Sequence, residues 1–296
     1  MEKILIAAIQ LNAGSDKKLN IENASNLIKK AAHKGAKLIA LPEVFNWRGG
    51  SKEISGNCES IPGPTSLRMS ELAATLKIFL LCGSIIETNP ESSRPLNTSF
   101  LLNPCGKIIA CYRKIHLFKI YQRGKSTIDE TRIYSSGNEV VTARIPFSRV
   151  GFTICYDLRF PELYRSLTGN GAGIIFVPSS FTHETGKAHW EILLRARAIE
   201  NQVYIIAPNQ YGKDPLGNSH YGHSMIVDPW GTVIGQGSTG EKIIYGEIDI
   251  NYLKKVRKRL PSLQHKRGDV FFLFPLAELG QAEPCPQIPK LKGEGK

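Results

Sequence analysis

The chain has 296 residues, 38 Lys and Arg against 26 Asp and Glu for a net charge of +12, and is 42% hydrophobic and 22% charged. A chain this long buries roughly three quarters of its unfolded surface on folding, so it needs no disulfide or structural metal, and its composition excludes disorder, collagen and coiled coil. No apolar stretch approaches the roughly 18 residues of a membrane span, and the positive charge leaves nucleic acid, anionic membrane or acidic small molecules as partner classes.

Met1-Glu2-Lys3 is followed by six apolar residues and Gln10, too short a run for a secretory signal but suited to a first strand, so the expected address is cytoplasmic. Apolar runs at 4–9, 37–41, 78–86, 150–154, 173–177 and 203–207 predict strands covered on both faces. Between the first two, Ile21, Ala24, Ile28, Ala31 and Ala32 keep helical spacing and Gly35 sits at C′, a βαβ opening. Residues 97–102 and 107–112 flank Asn103-Pro104-Cys105-Gly106 and predict a hairpin; 224–227 and 232–234 around Asp228-Pro229-Trp230-Gly231 predict another. A helix is expected over about 187–201, with Trp190, Leu193, Leu194 and Ala198 on one stripe and Glu191 four residues before Arg195. The architecture is mixed α/β, with one domain over 1–270 and a C-terminal tail, 271–296, whose prolines and lysines leave it little to pack with.

Three segments put chemistry at strand ends. Residues 37–41 run into Pro42 and Glu43, and a carboxylate at the carboxyl end of a parallel strand stands where ligands bind in open sheets. Residues 149–154 run into Cys155, followed by Asp157, Arg159, Pro161 and Glu162, a polar cluster suited to a helix start whose amides could bind an anion. Residues 107–112 end in Arg113 and Lys114; a lysine aimed at the same crevice would hold a developing oxyanion. Each also has a plain reading: a surface glutamate, a buried packing cysteine, a solvated lysine.

Together, Pro42-Glu43, Arg113-Lys114-Ile115-His116-Leu117-Phe118 and Cys155-Tyr156-Asp157-Leu158-Arg159-Phe160-Pro161-Glu162 resemble the three signature blocks of the nitrilase superfamily of carbon–nitrogen hydrolases. The resemblance continues through Ala188-His189-Trp190-Glu191, Arg195-Ala196-Arg197-Ala198-Ile199-Glu200 and Tyr221-Gly222-His223-Ser224, covering about 3–270. It implies a four-layer αββα sandwich, usually dimerised through helices that include the one after the nucleophile. It implies Glu43 as general base, Lys114 as cationic oxyanion donor, Cys155 as nucleophile and Glu130 as a supporting carboxylate, with no metal or cofactor. An unperturbed thiol, pKa about 8.5, is mostly protonated at neutral pH, so a nearby base has to take its proton during attack on an amide carbonyl.

Within the superfamily, Cys155-Tyr156-Asp157 resembles the amidase side, and the stretches at 188–231 and 248–253 resemble deaminated-glutathione amidases. The expected reaction is release of ammonia from a small carboxylate-bearing amide, deaminated glutathione first, with ω-amidase action on 2-oxoglutaramate or another small amide or carbamoyl compound as the alternative. Arg159 is the candidate fork for a substrate carboxylate, beside Tyr156; pairing of Arg159 with Asp157 or Glu162 is the structural alternative. Lys119, Tyr121, Arg123 and Lys125 stand where relatives carry acidic and small residues.

Other motifs read as structural. Gly235-Gln236-Gly237-Ser238-Thr239-Gly240 satisfies G-x-G-x-x-G, but a strand pattern follows it, so it is expected to be a hairpin loop. His220 and His223 lack ligand-spaced partners and are expected to be hydrogen-bonded structural histidines. The six cysteines, at 58, 82, 105, 111, 155 and 285, show no zinc, redox or disulfide spacing. The basic segment 254–267 has no interleaved aromatics of the single-strand-binding kind and reads as a solvated helix face, so neither a nucleic-acid nor a membrane partner is expected. The rival classes are a nucleic-acid binder and an inactive scaffold.

Overall fold

Strand β1 (Ile4–Gln10) sends Ile6 and Ala8 into one core and Ala7 and Ile9 into another, an alternation that sets the layering of this computed structural model, which describes residues 3–121, 128–267 and 270. In chain order there follow α1 (Lys17–His33), β2 (Leu38–Ala40), α2 (Pro64–Leu76), β3 (Phe79–Glu87), β4 (Leu96–Leu102), β5 (Ile108–Arg113), β6 (Lys119–Ile120) and β7 (Ile128–Asp129). The second half holds β8 (Thr142–Ile145), β9 (Ser148–Phe152), α3 (Pro161–Gly169), β10 (Ile174–Phe176), α4 (His183–Asn201), β11 (Tyr204–Ala207), β12 (Tyr211–Lys213) and β13 (Ser219–Tyr221). It closes with β14 (Met225–Val227), β15 (Val233–Gln236), β16 (Lys242–Ile248) and α5 (Ile250–Arg259).

Two six-stranded sheets run in the orders β16-β1-β2-β3-β4-β5 and β15-β14-β11-β10-β9-β8. In each, three parallel strands are flanked by antiparallel ones: β1, β2 and β3 in the first, β9, β10 and β11 in the second. One face of the first sheet packs on α1 and α2 through Leu27, Ile28, Met69 and Leu72, while Ile6, Ala8 and Leu81 join Val150, Phe176 and Ile205 of the second. Trp190 and Leu194 of α4 and Tyr164 of α3 extend that core over the outer face of the second sheet. The result is the four-layer αββα sandwich, and the carboxyl ends of the parallel strands of both sheets open toward one crevice.

The local signals explain most boundaries. Asp16 caps α1 by accepting from Leu19 N at 3.0 Å, and Gly35, at φ +97°, closes it in the left-handed conformation a C′ glycine adopts readily. Helix α4 begins four residues earlier than the apolar stripe predicts, because Thr182 Oγ1 accepts from Thr185 N and adds a first turn that carries no core residues. The glycine-rich segment is no hairpin loop: β15 belongs to one sheet and β16 to the other, so it crosses between sheets, and Gln10 Nε2 donates to Ser238 O and Gly240 O to hold it. On α5, Arg257 is not a solvated cation; its Nε donates to Gln202 O and its Nη2 to Ala172 O.

The chain divides after Leu260 into two units, 1–260 and 261–296. In the second, Gln264 N donates to Pro261 O in a turn; the expected tail 271–296, and Arg123 and Lys125, lie outside the described residues. Among the described residues, no helix is long and apolar enough to cross a membrane.

Candidate active site

Glu43 stands three residues past β2. Behind it, β3 carries an irregularity between Cys82 and Ile85 in its pairing with β4, which turns Ser84 toward the chain after Glu43; Ser84 Oγ accepts from Val44 N at 2.8 Å and Ser84 O from Phe45 N at 3.2 Å. Position 83 has to be glycine there, since a Cβ would lie 1.9 Å from Leu41 O. Gln210 Nε2 holds the carbonyl of Glu43 itself at 2.9 Å.

Lys114 follows β5, its N–H donating to Asn97 O on β4. Its fully buried ammonium sits between two carboxylates, 2.8 Å from Glu43 Oε1 and 2.8 and 3.1 Å from the two oxygens of Glu130. Asn97 Nδ2 donates to Glu43 Oε1 at 2.9 Å and Phe118 N to Glu130 Oε2 at 2.7 Å. Burial works against every charge in this group. For Lys114 the attraction of Glu130 and Glu43 outweighs it and holds the pKa well above the ordinary value. For Glu43 burial raises the pKa, but Lys114, Cys155 and Asn97 together hold it below normal. For Glu130 burial and the Glu43 charge win over Lys114 and the pKa is raised.

Cys155 stands three residues past β9 at φ +49°, a strained conformation for a residue with a Cβ, and its N–H donates to Pro178 O beyond β10 at 2.9 Å. The thiol is within hydrogen-bonding reach of the Glu43 carboxylate, with the Ser180 amide also within reach of the sulfur. Burial and the Glu43 charge push the thiol pKa well above normal, so the resting sulfur is protonated.

Asp157 belongs to the frame. Completely buried, it accepts from Tyr112 Oη at 2.7 Å, Ile154 N at 2.8 Å and His116 N at 3.0 Å, and its Oδ1 lies 2.7 Å from His116 Nδ1, so it ties the cysteine segment to the lysine segment. This overturns both its expected part in an anion-binding helix start and its pairing with Arg159. Arg159 instead faces His189 Nδ1 at 3.4 Å and lies over the rings of Tyr156 and Phe181, 5.8 and 5.5 Å from their centroids. Arg197, from the α4 block, donates to Leu158 O at 3.0 Å and anchors the same turn.

These groups border a cavity of about 520 Å³, whose lining includes Glu43, Glu130, Cys155, Tyr156 and Arg159. All six residues expected at the site therefore meet around or beneath one cavity. Several wall residues carried no sequence signal: Arg48, Asp214, Ser180 and the supporting Asn97. His220 is hydrogen-bonded, as expected of a structural histidine, yet it also lines the cavity; His223 stacks on Tyr221 at 4.1 Å. Among the described residues no group of three His, Cys, Asp or Glu could hold a metal.

A carbon–nitrogen hydrolase family profile matches residues 5–258. The human protein named omega-amidase NIT2 is 39% identical over 271 residues, 92% of this chain and 98% of that one. Yeast Nit3, described as a member of branch 10 of the nitrilase superfamily, superposes with TM-score 0.80 at 34% identity, covering 88% of this chain and 95% of that one. The C. elegans NitFhit protein gives TM-score 0.84 at 36% identity, covering 91% of this chain and 66% of that one.

Proposed function

This chain belongs to the carbon–nitrogen hydrolase family and acts on amides, and from that premise we propose that it is an ω-amidase that hydrolyses 2-oxoglutaramate to 2-oxoglutarate and ammonia. The observation that carries the reading is the contact of one buried carboxylate, Glu43, with both a buried thiol and a buried ammonium. Cys155 Sγ attacks the amide carbon as Glu43 takes the thiol proton. The oxyanion is held by Lys114 and the backbone N–H of Tyr156. Glu43 returns the proton to the nitrogen, ammonia leaves, and water deprotonated by Glu43 cleaves the thioester. Glu130 keeps Lys114 charged and in place.

Arg159 receives the substrate carboxylate. Asp157 is fully engaged elsewhere, and the neighbouring Tyr156 and Phe181 faces leave the guanidinium beside the cavity. The preference for 2-oxoglutaramate over deaminated glutathione rests on the relatives, which carry the ω-amidase name. The cavity volume admits both. Cleaving the amide of deaminated glutathione frees a dipeptide amine and not the ammonia expected of it, so the test on the purified protein reads ammonia from 2-oxoglutaramate and the dipeptide amine from deaminated glutathione. A higher kcat/KM on 2-oxoglutaramate supports the reading, and a higher value on deaminated glutathione replaces it. We also read the active form as a homodimer: Ile192 and Ile199 of α4 and Trp230 are 69, 48 and 44% exposed, apolar area suited to a second copy. Light scattering at a monomer mass removes that part.

A further inference from the structure

Three polar side chains on the cavity wall take no part in the Glu43, Lys114 and Cys155 chemistry. Asp214 Oδ2 lies 3.2 Å from His220 Nε2, and His220 Nδ1 lies 3.0 Å from Ser180 Oγ. All three residues line the cavity that Cys155 also borders. Asp214 is held by Leu216 N at 2.9 Å, Asn218 N at 2.8 Å, Asn218 Nδ2 at 3.0 Å and Arg48 Nη2 at 3.2 Å. Burial opposes its charge, but these donors and His220 hold its pKa far below the carboxylate range, so it stays ionised.

An ionised Asp214 selects the tautomer. Nε2 carries the proton and donates to Asp214, Nδ1 is left as an acceptor, and the Ser180 hydroxyl turns its proton toward Nδ1. Burial, with Arg48 nearby, keeps His220 below its usual pKa against the pull of Asp214, so at neutral pH the ring is uncharged and able to accept a proton. The backbone carbonyl of Ser180, 3.2 Å from Nδ1, is in place to receive a hydrogen bond once Nδ1 is protonated. A hydroxyl within reach of a neutral imidazole, itself oriented by a buried carboxylate, is the arrangement that activates serine in unrelated folds.

We propose that Ser180, His220 and Asp214 form a second acyl-transfer site in this cavity, one that cleaves small carboxylic esters without Cys155. Ser180 Oγ bonds to the ester carbonyl carbon while its proton passes to His220 Nδ1. The carbon–oxygen bond to the alcohol breaks, and the leaving alkoxide takes that proton from His220. Water then attacks the acyl-serine, its proton passing through His220 back to Ser180 Oγ, and the carboxylic acid is released. Ester, water, acid and alcohol balance with no other reactant. Esters suit the site because an alkoxide leaves more readily than an amide nitrogen. This activity does not depend on which amide the cysteine cleaves.

The test uses full-length protein carrying Cys155→Ala, in which the thiol contributes nothing, with p-nitrophenyl acetate as substrate and a fluorophosphonate as label. Nitrophenolate release is expected to persist in Cys155→Ala and to fall about 10²-fold or more when Ser180→Ala or His220→Ala is added. The label is expected on the peptide containing Ser180. Hydrolysis that is absent from Cys155→Ala, or unchanged by Ser180→Ala, overturns the proposal. If the double variants do not fold, labelling of Cys155→Ala alone decides: a phosphonyl group on Ser180 supports the site, and an unlabelled Ser180 ends it.

Discussion

Glu43 Oε1 lies 2.8 Å from Lys114 Nζ while the same carboxylate reaches the Cys155 thiol, so one group both balances the buried cation and faces a buried thiol. Replacing it with the near-isosteric amide separates these duties. Glu43→Gln keeps the shape and leaves Lys114 paired with Glu130, so the fold is expected to survive while kcat falls about 10²–10⁴-fold. Soaking the variant with 2-oxoglutaramate and measuring intact mass is expected to trap the acyl group on Cys155. A kcat within threefold of wild type would remove Glu43 from proton transfer.

Lys114→Met tests the opposite charge. It leaves Glu43 and Glu130 both buried without their cation, so the loss combines a missing oxyanion donor with two uncompensated carboxylates. The expected cost is about 3–5 kcal/mol in stability, read by denaturant unfolding, and about 2.7–4 kcal/mol in transition-state stabilisation, read in kcat. Adding Glu130→Gln is expected to restore part of the stability and none of the activity. A double variant no more stable than Lys114→Met would show that the two carboxylates do not share the lysine charge.

How much of this was legible beforehand follows from where each signal resides. The strands at 38–40 and 174–176, and the buried parts of those at 4–10 and 148–152, are short apolar runs because both faces are covered, and that burial is written residue by residue. Glu43, Lys114 and Cys155 each follow a strand, so their spacing from apolar runs marked them. Arg48, Ser180 and Asp214 lie in connections whose composition says nothing about direction, and they reach the cavity only because the two sheets stack. The crossing between β15 and β16 is hidden for a related reason: two neighbouring strands separated by glycines look like a hairpin whichever sheet each joins.

The pKa directions set a pH dependence with a definite sign. Glu43 is held below its ordinary 4.5, so its ion-pair contribution to stability is fully present above the unfolded value and is lost as pH falls through the lower folded value. Lys114 is raised above 10.5, so its contribution is complete below that value and is lost only as pH rises through the higher folded value. Stability is therefore expected to be flat, as far as this pair determines it, from about pH 5 to 9, checked by urea midpoints across pH. Cys155, raised by burial and by Glu43, is expected to react with iodoacetamide slowly at pH 7 and faster only above the ordinary thiol range. An alkylation rate already at its plateau below pH 7 would mean a resting thiolate and a different division of labour with Glu43.

Arg159 decides the substrate reading most directly. Its guanidinium lies beside two aromatic faces and, among the described residues, has His189 as its polar neighbour, so a carboxylate entering the cavity meets a planar cation. Arg159→Lys keeps the charge but loses the fork. KM for 2-oxoglutaramate is expected to rise about 10-fold or more, since a charge-assisted hydrogen bond contributes about 1.5–3 kcal/mol, with kcat changed little. A neutral amide such as propionamide provides the control, and its KM is expected to stay within about twofold because it presents no anion. A rise in KM shared equally by both substrates would assign Arg159 to the cavity wall alone and leave the substrate carboxylate to another group.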